Sequence, residues 1–308
     1  MSSENLRLPA RPGVNATPLV AVARPPRRVW NIVRRVVQAR LAGAGLVVLA
    51  LVVFCALLAP VLAPFEPNAQ DYLALTEAPG AAHLFGTDDL GRDVLSRIIY
   101  GSRVSIQVGI IAAAIALVLG VTLGLLAGFL GGAIDNVIMR IIDAVQAFPS
   151  LILALAITAA LGPGIGNAMI AIGFVSMTAI ARLTHGQTLS EREREYVTAA
   201  RVIGVSPLRL MARHIWPNIT APIIVQVTLL IATAIVTEAS LSFLGVGVVP
   251  PTASWGAMLR SGSQYLETAP WLAFAPGIAI FITVLAFNFV GDGLRQAFDP
   301  RLKHRGGR

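Results

Sequence analysis

The residues able to do chemistry are few, and their spacing excludes most of the chemistry they suggest. His83 stands near Asp88, Asp89 and Asp93, yet the set lacks the ligand order of a calcium loop and does not read as a metal centre. The glycines from Gly162 to Gly166 do not follow a strand, and the chain contains no G-x-x-x-x-G-K-S/T run, so no nucleotide loop is expected. Cys55 is the single cysteine, which excludes an intrachain disulfide framework and a Cys-based zinc site; inside an apolar run, it reads as a small buried hydrophobe. No nucleophile, base and orienting group occur together, which argues against a membrane enzyme. What remains is a handful of ionisable residues beside long apolar runs, where a charge is costly. Arg140 and Asp143, three apart, are expected to pair with each other, as are Asp292 and Arg295; Glu238 is the candidate for a polar pathway or an outer gate.

These residues belong to a chain of 308, of which 56% are hydrophobic and only 13% charged, where soluble domains carry roughly a quarter charged residues. The apolar residues gather into blocks too long for the core of a small globular protein, so the chain reads as an integral membrane protein. A bilayer core about 30 Å thick needs roughly 20 apolar residues of helix. Uncharged runs of that length cover residues 41–63, 104–134, 144–181, 215–237 and 271–290. The third is too long for one crossing and is broken at 161–166, so it reads as a helical hairpin whose first arm begins near Asn136. The run 239–259 is interrupted by Gly245, Gly247, Pro250 and Pro251 and could not satisfy its backbone in lipid. The expected fold is an all-α membrane protein with six transmembrane helices.

In that arrangement 20 of the 24 Lys and Arg residues fall on one side, leaving Arg92, Arg97, Arg103 and Arg260 on the other. The bias predicts that both termini are cytoplasmic, and it makes the net charge of +8 an orientation signal rather than a footprint for nucleic acid. The expected segments are a basic cytoplasmic N-terminal segment (1–40), a first transmembrane helix (41–63), an outer loop with an amphipathic helix (64–103), a five-helix core (104–294) that includes a cytoplasmic loop (182–217), and a basic tail (295–308). The leader and the apolar run after it are too long for a signal peptide, which predicts a retained anchor. Residues 1–26 are expected to be disordered.

Two loops are patterned. In 182–217, Ser190 and Glu193 have capping-box spacing, and a helix from there would present Tyr196, Ala199, Ala200 and Ile203 on one face. Gly204 would end it; Ser206 as N-cap and Pro207 at the first helical position would start a second short helix through Leu208, Met211 and Ile215. Such a hairpin either rests on lipid or docks a cytoplasmic protein. In the outer loop, Thr87 could cap a helix with Asp88 and Asp89 in its first turn and Val94, Leu95, Ile98 and Ile99 as its apolar stripe. It would serve an outer gate or docking platform, or act as a structural cap. Gly120, Gly124, Gly128 and Gly132, four apart, form a groove for a helix of this chain or of another subunit. Pro149 and Pro163 are expected kinks.

Four separated motifs resemble one family. Tyr196-Val197-Thr198-Ala199-Ala200-Arg201-Val202-Ile203-Gly204 followed by His214-Ile215-Trp216-Pro217-Asn218 is similar to the EAA loop of ABC-importer permeases, with Thr198 in place of the family's Glu, and with His214 and Trp216 in place of its aliphatic pair. Phe85-Gly86-Thr87-Asp88-Asp89-Leu90-Gly91-Arg92-Asp93 with Ser96-Arg97 resembles the stretch before the permease domain in C-type subunits of dipeptide, oligopeptide and nickel importers. Glu238-Ala239-Ser240-Leu241-Ser242-Phe243-Leu244-Gly245 with Trp255-Gly256, and Gly291-Asp292-Gly293-Leu294-Arg295 with Asp299-Pro300-Arg301, match two further signatures.

The resemblance implies a type I ABC importer permease fold in a bacterial cytoplasmic (inner) membrane, with peptides or a similar small solute as cargo. It implies a homologous B-type permease subunit as partner, two cytoplasmic ABC ATPase subunits that bind ATP and Mg, and an extracytoplasmic solute-binding protein, with no cofactor in this chain. The ATPase-coupling residues would be Tyr196, Thr198, Ala199, Ala200, Arg201, Gly204, Pro207, His214 and Pro217. The outer gate or pathway would draw on Asp88, Arg92, Asp93, Glu238, Ser242 and Trp255. The competing reading, a self-contained secondary transporter, expects internal repeats and mid-membrane ionisable residues, and neither is clear in the sequence.

Overall fold

The computed structural model describes residues 40–298; the basic segment before Arg40 and the tail from Asp299, with the Asp299-Pro300-Arg301 motif, lie outside the described residues. Among the described residues the regular structure is helical, apart from an isolated bridge between Thr87 and Asp93. Helix α1 (Arg40–Leu57) with the single turn α2 (Ala59–Leu62) is followed by α3 (Val94–Leu130). Next come α4 (Gly132–Gln146) and α5 (Ser150–Leu161), which meet at 91°, and the returning helix α6 (Ile165–Arg192). Two short helices, α7 (Glu195–Val202) and α8 (Pro207–Leu210), lead through a π-helical segment at Met211–Ile215 into α9 (Trp216–Phe243). The chain continues through α10 (Trp255–Ser263) and α11 (Trp271–Phe298). Five helices are long and apolar enough to cross a bilayer, and the bent α4–α5 pair taken as one span makes six.

Helices dominate because lipid offers no partner for a backbone N–H or C=O, so each crossing must satisfy itself. The core forms where α3, α6 and α9 meet, around Val108, Ala112, Ala116, Ile172, Ile180 and Ala234. Close approach there depends on small residues. A Cβ on Gly120 would stand 2.6 Å from the Met177 carbonyl oxygen, on Gly124 2.5 Å from that of Ala181, and on Gly128 2.8 Å from Thr188 Cβ. The stripe therefore packs α3 on α6 within the chain, and Gly132, with nothing within 4 Å, is not part of it.

Several expectations are revised. The outer helix does not begin at Thr87: Asp93 is the N-cap, its carboxylate accepting from Ser96 N–H at 2.7 Å, and the helix runs on into the second crossing. The expected segment boundary at 103 thus falls inside α3. The third span is not one helix from Asn136. Pro149 disfavours a helical Phe148 and removes a backbone donor, so α4 ends at Gln146 and α5 leaves at a right angle. Ser190 and Glu193 form no capping box, because α6 continues to Arg192 and α7 starts after Arg194. Asp143 pairs with Arg182 of α6 at 2.7 Å rather than with Arg140, and His185 Nε2 lies 2.8 Å from the Asp135 carboxylate, so an ion pair and a second polar contact hold α4 against α6. Asp292 and Arg295 are both exposed and form no ion pair among the described residues.

Candidate functional site

The loop between α6 and α9 is amphipathic: of the four residues expected on its docking face, Tyr196, Ala199 and Ile203 are exposed, whereas Ala200 turns inward. Val197 and Ala200 of α7 are buried with Leu210, Ile215, Ile219 and Ile223, packed against Leu125 and Phe129 of α3 and Leu183 of α6. Tyr196, Thr198, Ala199 and Arg201 are exposed, and the Arg201 guanidinium lies 5.9 Å from the Phe129 ring centre. Gly204 makes the elbow at φ +84°, a conformation that side chains other than glycine adopt at a cost. Pro207 then occupies the first turn of α8, and Ser206 precedes it without a side-chain cap bond. The tip leaves Val202, Ile203 and Leu208 uncovered, at 82%, 80% and 73% exposure.

A polar tie joins α7 to the root of α9. Pro217 lacks the N–H that would continue the ladder, and the backbone passes through the π-helical segment that contains His214. The His214 carbonyl accepts from the Asn218 amide at 2.7 Å and lies 3.1 Å from Tyr196 Oη, to which Asn218 also donates at 2.9 Å. Tyr196 donates in turn to Glu191. Desolvation, and after it the Glu191 carboxylate, push the Tyr196 phenol up to about 12, so it stays a proton donor throughout the physiological range. Tyr196, His214 and Pro217 therefore form one junction, while Thr198, Ala199 and Arg201 face outward.

At the other end of the bundle, Asp88, Arg92 and Asp93 are buried and bound to one another's surroundings. Asp88 accepts from the N–H groups of Leu90 and Arg92 at 2.9 Å, pairs with Arg92 Nε at 2.7 Å, and faces Arg97 Nε at 3.6 Å. Arg97 Nη1 donates to the Pro67 carbonyl at 2.8 Å. Asp93 holds Ser96 and meets His83 Nδ1 at 2.9 Å. This knot ties the 64–93 loop to the start of α3. Gly91 sits in it at φ +71°, where a Cβ would lie 1.9 Å from the Asp71 carbonyl oxygen. Trp255 donates to the Ile98 carbonyl at 2.9 Å and covers Gly101. Ser242 donates to Glu238 at 2.7 Å and accepts from Val248 N–H at 3.0 Å, pinning the turn after α9. Glu238 is fully buried, and its Oε2 has no partner.

Between the α4–α5 break, α6 and α9 lies an open recess of about 580 Å³, lined in part by Gln146, Ser150, Ser176, Gln226 and Thr233. Sequence reasoning missed these residues. Uncharged polar side chains barely lower the hydropathy of an apolar run, and the signal available was the recurrence of Gln, Ser and Thr in runs free of charge.

A bundle of six apolar crossings with short helices folded back at one end has the architecture of an ABC-importer permease. The structure is similar to inward facing conformations of the MetNI methionine ABC transporter, with a TM-score of 0.55 and 17% identity over 67% of this chain and 98% of that one. The chain belongs to the family of binding-protein-dependent transport system inner membrane components, whose model matches residues 120–304; residues 28–79 match the N-terminal TM domain of oligopeptide transport permease C. Its relatives include the dipeptide transport system permease protein DppC of Escherichia coli (strain K12), 52% identical over 85% of this chain and 89% of that one. The di/tripeptide transport system permease protein DppC of Pseudomonas aeruginosa (strain UCBPP-PA14) is 49% identical over 84% and 88%. The chain is thus a multi-pass inner-membrane permease subunit of an ABC importer.

Proposed function

We propose that this permease carries di- or oligopeptides inward through an ATP-driven complex, with the α7 end of the bundle cytoplasmic and the α10 end outside. Its partners in this reading are a homologous B-type permease, two ATPase subunits that hold ATP and Mg, and a solute-binding protein that docks at the outer mouth. The names of the relatives favour a peptide cargo, and the positive-side bias favours the orientation.

The observation that carries the coupling role is the loop tip. Val202, Ile203 and Leu208 are apolar and exposed at the end expected to face water, and in a permease of this family an ATPase subunit is the cover that accounts for their exposure. The base of the same helix is buried against α3, α6 and α9 through Val197 and Ala200, so force on the patch passes into three spans. An ATPase that binds the patch differently with and without ATP would shift the permease between conformations by that difference in affinity. Ile203→Asp and Leu208→Asp should abolish co-purification of the ATPase subunits while leaving the permease inserted. Retention at wild-type stoichiometry in both variants would overturn the docking assignment.

A further inference from the structure

A groove on the flank of the bundle belongs neither to the coupling loop nor to the outer knot. It lies between α1, the first turns of α3 and α11, holds about 300 Å³, and is walled by Leu51, Val52, Ile99 and Ile282 with the buried Trp255. Its hydroxyl and indole groups are already bonded: Ser102 Oγ donates to the Ile99 carbonyl at 2.6 Å, Thr283 Oγ1 to that of Ala279 at 2.8 Å, and Trp255 Nε1 to that of Ile98 at 2.9 Å. A polar solute would find no hydrogen bond there, so the groove suits hydrocarbon. Leu51 and Ile282 are exposed at its edge, on helices that cross the bilayer, so it opens to lipid. An α-helix about 10–12 Å across is too wide for it, whereas an acyl chain is not.

A cation stands at the end of this groove. The 18 residues of α1 give about 27 Å of helix, so its last turn reaches the headgroup level of a hydrocarbon core about 30 Å thick. There Arg103, which follows Ser102 of one wall, donates from Nε to the Ala56 carbonyl at 2.5 Å and from Nη2 to that of Leu57 at 3.2 Å, next to Cys55 of the other wall. Those bonds satisfy orphan carbonyls at the C-terminus of α1 and fix the guanidinium at the mouth. The Arg103 side chain is exposed, and among the described residues it forms no ion pair and its Nη1 makes no hydrogen bond.

We infer that this groove is a phospholipid site, in which one acyl chain lies between α1, α3 and α11 while Arg103 binds the phosphate of an anionic headgroup. A guanidinium already oriented by two carbonyls presents its remaining N–H groups to phosphate oxygens with little further loss of rotamer freedom. Phosphatidylethanolamine carries an ammonium that competes for its own phosphate, and phosphatidylglycerol does not, so the anionic lipid is preferred. The bound chain fills the wedge that the three helices leave open and ties α1 to the bundle. The inference rests on the chain's place in the membrane and is independent of its cargo.

The test uses the full transporter complex in vesicles of equal parts phosphatidylethanolamine and phosphatidylglycerol, with a diazirine-bearing amino acid in place of Ile99. After illumination, mass spectrometry reads what is attached at that position. The expected adduct is phospholipid, with phosphatidylglycerol about fivefold in excess, the factor contributed by roughly one Arg beside anionic lipid. At Phe281, exposed at the same depth on α11 but outside the groove, lipid adducts should show no such excess. Arg103→Gln should bring the two lipids to equal yield, and Arg103→Lys should keep an excess of phosphatidylglycerol. Adducts with a partner subunit in place of lipid, or the same excess at both positions, overturn the site. Equal yields with Arg103 intact, or an excess that survives Arg103→Gln, overturn the role of Arg103. The two positions with Arg103 intact decide the matter even where Arg103→Gln does not assemble.

Discussion

Asp88 sets one carboxylate against two guanidiniums, Arg92 at 2.7 Å and Arg97 at 3.6 Å, in a buried knot. Removing it leaves Arg97 without its facing carboxylate and Arg92 with only Asp89 at 3.9 Å, a loss of up to about 3–5 kcal/mol for a broken buried pair. Asp88→Ala should therefore lower the thermal midpoint and membrane yield of the permease, without altering the ratio of ATP hydrolysed to solute moved by the protein that survives. Gly204 belongs to a different category. A Cβ there meets nothing within 4 Å, but φ +84° is strained for any side chain, and most of all for a branched one. Gly204→Val should cost roughly 1–3 kcal/mol locally and re-aim α7, so that hydrolysis continues while uptake falls. Tyr196 provides a pH check. A phenol raised to about 12 stabilises the fold below its ordinary value near 10, and that contribution is lost as pH rises from there through 12. Coupling should thus show no titration by Tyr196 below about pH 9, while Tyr196→Phe should weaken it across the whole range; a wild-type profile that Tyr196→Phe flattens near neutrality would contradict this.

At the scale of elements, α3 and α6 pack as one unit through Gly120, Gly124 and Gly128. Gly124→Leu should separate them at a cost of about 1–3 kcal/mol or more, whereas Gly166→Ala, with nothing within 4 Å, should be nearly silent in the same unfolding assay. The spans were legible in the sequence because absence of charge over some 20 residues is a strong signal. Their breaks were less so. Asp93 and Thr87 are both cap-forming types, and only the turn through Gly86 and Gly91, each at positive φ, decides for Asp93. Pro149 was readable as a kink, but not as a right angle, because the angle depends on α4 lying against α6 through Asp135–His185 and Asp143–Arg182. On α7, periodicity grouped Ala200 with Tyr196 and Ile203 on the outward face, yet Ala200 is buried beside Val197. Which stripe faces inward is fixed by Leu125, Phe129 and Leu183, residues far away in sequence. The recess was hidden for the same reason, since Gln146, Ser176 and Gln226 meet only when three helices assemble.

For the whole molecule, the two ends of the bundle hold different kinds of chemistry. The α10 end is fastened by ion pairs and by Trp255, whereas the α7 end presents an apolar patch on a helix rooted in three spans. Between them lies a recess free of charged lining. That distribution suits a chain that conducts solute while energy arrives from outside it, and it fits the family to which the chain belongs. The most direct test is dipeptide uptake into proteoliposomes holding the full complex and supplied with the binding protein. The account predicts accumulation that requires ATP and both ATPase subunits, persists when ion gradients are collapsed, and is lost in Ile203→Asp. Uptake by this chain alone, driven by an ion gradient and indifferent to ATP, would contradict it.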